Sequence, residues 1–245
     1  MPQIADRETW LEARRALLAE EKAYTRLRDS LAAKRRALPW VKVEADYEFD
    51  TAGGPMTLGE LFGAKRQLIV YHFMLAPGAK AGCVGCSFLA DHVNGIIPHL
   101  EQKDVTFVVV SRAPLAEIEA FKRRMGWSFR WVSSNASAFN YDFGVSFTPE
   151  QLEGADASYN FAPIKPPIAD LPGTSVFIKD EAGQIFHTYS QFARGGEDLL
   201  STYALLDMTP LGRQEGSEDG DLSDWVRHRD TYPQTAPAAA CPACA

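Results

Sequence analysis

Gln67-Leu68-Ile69-Val70-Tyr71-His72-Phe73-Met74 is a largely apolar stretch of β-branched and aromatic residues, with Gln67 and His72 as its polar members. A loop holding Pro77, Gly78 and Gly82 follows, then Cys83-Val84-Gly85-Cys86, then a helical pattern over residues 87–100. Two cysteines separated by two residues at a strand–loop–helix junction are the sequence sign of a dithiol–disulfide site. Working outward, residues 105–110 form a second near-continuous apolar strand, and such runs, buried on both faces, mark a parallel sheet. Residues 115–125 read as a helix stopped by Gly126. Residues 127–132 offer a third strand. Residues 133–172 carry Pro149, Pro163, Pro166, Pro167 and Pro172 and read as a long insertion. Strands at 174–179 and 184–190 flank Asp180-Glu181-Ala182-Gly183, a hairpin signal, and residues 197–206 close as a helix.

The order β–α–β–α, irregular segment, β-hairpin, α predicts an α/β thioredoxin-like three-layer sandwich. It comes with an added helix over residues 6–38: Asp6 is a suitable N-cap, and no Pro or Gly interrupts before Pro39. Trp10, Leu17, Tyr24, Leu31 and Leu38 recur every seven residues along it, a stripe suited to lying on a domain or to a homodimer arm. The expected organisation is a helical arm over 1–39, the thioredoxin-like domain over 40–212, and a polar flexible tail over 213–245.

Composition narrows the function. A net charge of −7 argues against a nucleic-acid partner. No apolar run approaches the ~20 residues that span a bilayer, and the acidic N-terminus lacks a signal-peptide core, so a cytoplasmic protein is expected. In a reducing compartment a close cysteine pair is catalytic or metal-binding rather than a staple. All four cysteines fall in two pairs of equal spacing, Cys83/Cys86 and Cys241/Cys244.

The chemistry needs one thiolate to attack and a second thiol within reach to resolve the mixed disulfide. A helix N-terminus supplies unpaired N–H groups and partial positive charge, both favouring thiolate. Cys83, nearer the loop, is therefore the expected nucleophile and Cys86 the resolving thiol. Gly85 leaves the backbone uncovered beside them, and Lys80 adds positive charge. His72, on the strand feeding the site, is a candidate for its lining, with a packed core position as the alternative. Pro172 precedes a strand of the second half, where thioredoxin-like proteins hold a cis-proline facing the cysteines, although Gly173 intervenes. Cys241/Cys244 is a candidate second redox pair on the tail; the competing readings are a tail without a role, or a four-cysteine zinc site. No metal and no cofactor is expected from the favoured reading.

Further segments carry a family resemblance: Arg35-Arg36-Ala37-Leu38-Pro39-Trp40, Tyr71-His72-Phe73-Met74, Gly82-Cys83-Val84-Gly85-Cys86-Ser87 and Ser111-Arg112-Ala113-Pro114-Leu115. Later come Trp131-Val132-Ser133-Ser134, Phe139-Asn140-Tyr141-Asp142-Phe143-Gly144 and His187-Thr188-Tyr189-Ser190. Over about residues 8–232 the chain resembles a bacterial family of thioredoxin-like proteins of unknown function, labelled predicted dithiol–disulfide oxidoreductases. The resemblance implies that fold with Cys83 and Cys86 as the redox pair, and suggests Ser111, Arg112 and the segment at 187–190 as polar lining. The family ends in Trp, basic residues, His-Asp and Tyr; here Arg229 stands where the histidine is expected.

The expected activity is thiol–disulfide exchange on a disulfide-containing protein or small molecule, restored by an external thiol reductant. One rival is a peroxiredoxin-like thiol peroxidase, but the peroxide-holding Thr three residues before the reactive Cys is replaced by Lys80 for Cys83, and by Cys83 for Cys86. The other is a non-enzymatic binding protein of the same fold.

Overall fold

The computed structural model describes residues 4–154, 156–216 and 225–233. The chain divides into two compact units, Met1–Val41 and Lys42–Ala245. The first is helix α1, Arg7–Arg36, with Asp6 as its N-cap: the Asp6 carboxylate accepts from the Thr9 N–H at 2.8 Å. Lys34, Arg35 and Arg36 fill its last turn, where cations complement the helix dipole.

The second unit is built on a sheet whose principal strands are β1 (Gln67–His72), β2 (Val105–Ser111), β3 (Arg130–Ser133), β4 (Gly173–Lys179) and β5 (Ile185–Phe192). They lie in the order β5-β4-β1-β2-β3. β1, β2 and β3 run parallel; β4 is antiparallel to β1 and β5 antiparallel to β4. Helix α2 (Val84–Val93) follows β1, and α3 (Leu115–Met125) follows β2, ending at Gly126 with φ 63° in the left-handed region. Helix α4 (Ser201–Leu206) follows the hairpin.

Side-chain alternation along the strands makes two cores. Tyr71, Phe73, Phe107, Val109 and Trp131 pack with Cys86, Leu89 and Ala90 of α2 and with Ile118 and Phe121 of α3. Leu68, Val70, Val108, Val110 and Val132 face the other way, onto Phe49, Phe62, Phe139 and Phe177. With short helices at Leu58–Leu61 and Phe139–Asp142 on that second side, this is the expected thioredoxin-like α/β sandwich of three layers. Among the described residues no helix is long and apolar enough to cross a membrane.

Three expectations change. The helix predicted over 87–100 breaks after Val93 and resumes at Ile97–Glu101. Pro98 has no N–H to bond back to Asn94, and so is accommodated only in the first turn of a new helix. The helix predicted at 197–206 begins as a 3-10 segment, Ala193–Leu199, and becomes α-helical only at Ser201. The irregular insertion contains a hairpin, Ala157–Tyr159 with Ala162–Ile164, whose turn residues Asn160 and Phe161 have φ 52° and 63°.

Candidate active site

Cys83 is the N-cap of α2, with φ −56° and ψ 137°. Its N–H reaches back to the Met74 carbonyl at 3.1 Å, tying the end of the cysteine loop to the end of β1. Its carbonyl accepts from both the N–H and the hydroxyl of Ser87, at 2.9 and 2.8 Å. The loop is held elsewhere by Gly78 N–H on Glu117 at 2.9 Å and by Ala113 N–H on the Leu75 carbonyl at 2.9 Å. Gly82 is required for its seat: a Cβ there would lie 2.8 Å from Phe121 and closer still to Phe73, well short of van der Waals contact distance.

Cys83 is half-buried, whereas Cys86, one turn into the helix, is 2% exposed. Both are thiols. Burial pushes the Cys86 thiol well up, and its hydrogen bond to Cys83 and the charge on Cys83 push it further. The Tyr71 hydroxyl and a backbone hydrogen bond at Met74 pull it weakly the other way. Tyr71 is itself buried, its pKa raised well above the usual phenol value by desolvation first and by Cys86 second. The two cysteines open on a cavity of about 190 Å³. Val84, Leu89, Pro172, Phe192 and Leu200 supply much of its wall, with Tyr71, Thr174, Gln191 and Glu197 as polar members.

Gly85 and Pro172 line this cavity with Cys83 and Cys86. Pro172 does so through a trans peptide bond, since no cis bond occurs among the described residues, and it abuts β4 directly because Gly173 is the strand's first residue. Gly173 fits because a Cβ there would meet Phe192 at 2.8 Å.

The other expected lining residues stand elsewhere. Lys80 is exposed on the loop and outside the cavity wall. His72, 1% exposed, projects from the opposite face of the sheet to its neighbour Tyr71, because successive strand residues alternate. It stacks at 5.4 Å on Phe139, and its Nε2 lies 2.9 Å from Ser175 Oγ, from which a chain continues through Ser190 at 3.0 Å to His187 at 2.8 Å. Of the segment at 187–190, His187 and Ser190 therefore belong to that polar row, while Thr188 donates to the Val176 carbonyl. Ser111 is buried as a structural bridge, donating to the Phe73 carbonyl at 2.7 Å and accepting from the Trp131 indole at 3.0 Å. Arg112 is outside the cavity wall and binds Asp170, two residues before Pro172 in sequence.

The sequence reading missed Tyr71, Phe192 and Leu200 as wall residues, and Tyr159, whose hydroxyl donates to the Pro172 carbonyl at 2.6 Å and accepts from Ala193 N–H at 2.9 Å. It also missed His228, whose Nε2 lies 2.8 Å from the Gly82 carbonyl. Residues 225–233, expected in a flexible tail, dock here. Val226 is fully buried, Trp225 meets Phe88 edge-on, Arg229 pairs with Asp91 at 2.8 Å and Asp230 with Arg124 at 2.8 Å. Cys241 and Cys244 lie outside the described residues, and with them the four-cysteine zinc reading.

Residues 1–232 match a family described as bacterial protein of unknown function (DUF899). No curated protein matches the chain. Solved structures similar to it include Xanthomonas campestris Peroxiredoxin Q, at TM-score 0.46 and 16% identity over 67% of this chain and 95% of that one. Peroxidoxin BcpB from Mycobacterium tuberculosis scores 0.44 at 15% identity, over 67% and 95%. Those identities are too low to carry an activity across.

Proposed function

The chain belongs to the DUF899 family of bacterial proteins of unknown function, and from its own cysteine site we propose a thiol–disulfide oxidoreductase. The observation that carries this is the pairing of a half-buried Cys83 at the start of α2 with a buried Cys86 thiol bonded to it, both opening on one cavity. Because Cys86 is the thiol that holds its proton, Cys83 is the attacking sulfur.

The Cys83 thiolate attacks one sulfur of a substrate R–S–S–R′, forming Cys83–S–S–R and expelling R′S⁻. Cys86 gives up its proton, by way of solvent or the departing thiolate, and attacks the Cys83 sulfur. RSH leaves, and the two cysteines are left as a disulfide. Counted from the dithiol, whose Cys83 proton passed to solvent on ionisation and whose equivalent returns from solvent to RS⁻, the substrate has gained two electrons and two protons and the protein has lost them. An external thiol reductant, a partner proposed on chemistry alone, returns the dithiol.

The test is a single turnover of the reduced full chain, carrying Cys241→Ser and Cys244→Ser in every variant, with bis(2-hydroxyethyl) disulfide, followed by peptide mapping. A Cys83–Cys86 disulfide and two released thiols are expected. Cys83→Ser should form neither the disulfide nor an adduct at Cys86, and Cys86→Ser should trap a mixed disulfide on Cys83. Undiminished turnover in Cys83→Ser would overturn the assignment. So would oxidation of Cys83 by hydrogen peroxide with no reaction toward disulfides, which is the peroxidase result.

A further inference from the structure

We infer that the Cys83 site takes small uncharged disulfides carrying one apolar group, rather than protein disulfides; this rests on the exchange reading above. Proteins present disulfides to a redox site on extended chain, which needs free backbone groups beside the cysteines. None is offered at the start of β4. Gly173 and Thr174 are paired on one side with His72 and Tyr71 and on the other with Phe192 and Gln191. Pro172 has no N–H, and its carbonyl is taken by the Tyr159 hydroxyl. Tyr159 in turn packs on Phe192 at 5.2 Å and accepts the Ala193 N–H, so one side chain of the insertion hairpin occupies both of these backbone groups.

Recognition is left to the cavity. Its volume of about 190 Å³ compares with ~150 Å³ for a cavity that holds benzene. A group of about that size fits among Leu89, Pro172, Phe192 and Leu200. Among the described residues Glu197 is the one ionisable side chain of the wall besides Tyr71 and the cysteines, and it is already paired with Arg194 at 2.7 Å. Among the described residues no lysine or arginine lines the cavity, so a substrate carboxylate finds no side-chain counter-charge there. That sets an anionic disulfide at a disadvantage to a neutral one.

The experiment compares four oxidants of the reduced full chain: bis(2-hydroxyethyl) disulfide, benzyl 2-hydroxyethyl disulfide, oxidised glutathione and insulin. Each rate of Cys83 modification is divided by that of the same oxidant with free 2-mercaptoethanol. The benzyl compound should lead the hydroxyethyl one by about tenfold, as burial of an aryl group predicts, with glutathione and insulin slowest. Gly196→Leu, which fills the cavity beside Leu89, should bring the benzyl-to-hydroxyethyl ratio down toward one. A wild-type ratio near one, or insulin reacting as fast as the benzyl compound, overturns this inference while leaving thiol exchange in place. Failure of every oxidant to modify Cys83 overturns the exchange reading itself.

Discussion

Arg112 holds Asp170 by both carboxylate oxygens, Nε on Oδ1 at 2.6 Å and Nη2 on Oδ2 at 3.0 Å. Ser146 adds a third hydrogen bond to Oδ1 at 2.6 Å, and Tyr141 receives Nη1 at 2.9 Å. The pair fixes the end of the insertion two residues before the cavity wall. Both side chains are mostly buried, so removing one partner strands the other. Arg112→Met should cost about 3 kcal/mol in stability, measured by urea unfolding. It should also raise KM for the disulfide several-fold more than it lowers kcat, because Pro172 loses its anchor while the cysteines keep theirs.

His72 is buried, and desolvation lowers its pKa from 6.5 to about 4. The neutral ring is the folded form, whereas the unfolded chain takes up a proton near pH 6.5. This contribution to stability is therefore complete above about pH 6.5 and declines as pH falls toward 4. The slope reaches at most about 1.4 kcal/mol per pH unit, for a total of about 3 kcal/mol. Replacement by Phe, which keeps the stacking on Phe139, should flatten that part of the stability–pH curve. An unchanged slope would show that other groups dominate it.

Tyr71 tests the resolving step. Its hydroxyl is the side-chain group that draws the Cys86 thiol downward. Tyr71→Phe removes that pull, so Cys86 should ionise less readily and the Cys83 mixed disulfide should persist several-fold longer. Formation of the adduct should be unaffected. Rapid-quench mass spectrometry separates the two steps.

Gly82→Ala forces a methyl into Phe73 and Phe121. Overpacking of this kind costs about 1–3 kcal/mol, and the melting temperature should drop accordingly. Gly95→Ala is the control, since nothing lies within 4 Å of the added carbon. Equal melting temperatures for the two variants would mean that the loop yields.

The strands at 67–72 and 105–111 were legible because burial on both faces demands mostly apolar residues, and runs this short and rich in β-branched residues between turn signals favour a strand over a buried helix. That same continuity hid the site. An alternating strand announces its faces, but in Tyr71-His72-Phe73 every residue is buried, and periodicity could not tell which side each one joins. The Cys83/Cys86 pair stood out by spacing, whereas its wall is assembled from β4, β5 and the 3-10 segment after it, more than 85 residues further along the chain. The insertion hairpin turns on Asn160 and Phe161 without a glycine, so no turn signal marked it. The docking of residues 225–233 rests on Trp225 and Val226 among charged neighbours, too few apolar residues to form a pattern.

Adjacent residues of β1 serve two unrelated interiors: the phenol of Tyr71 meets sulfur, and the imidazole of His72 meets an aromatic layer and a row of serines. A slip of this strand by a single position would turn Tyr71 to the face of Phe139 and bring Val70 or His72, according to its direction, to the face of Cys86. The pairing register of one strand thus selects the chemical neighbour of the Cys86 sulfur, and a one-residue insertion or deletion within residues 67–71 would change that neighbour without touching either cysteine.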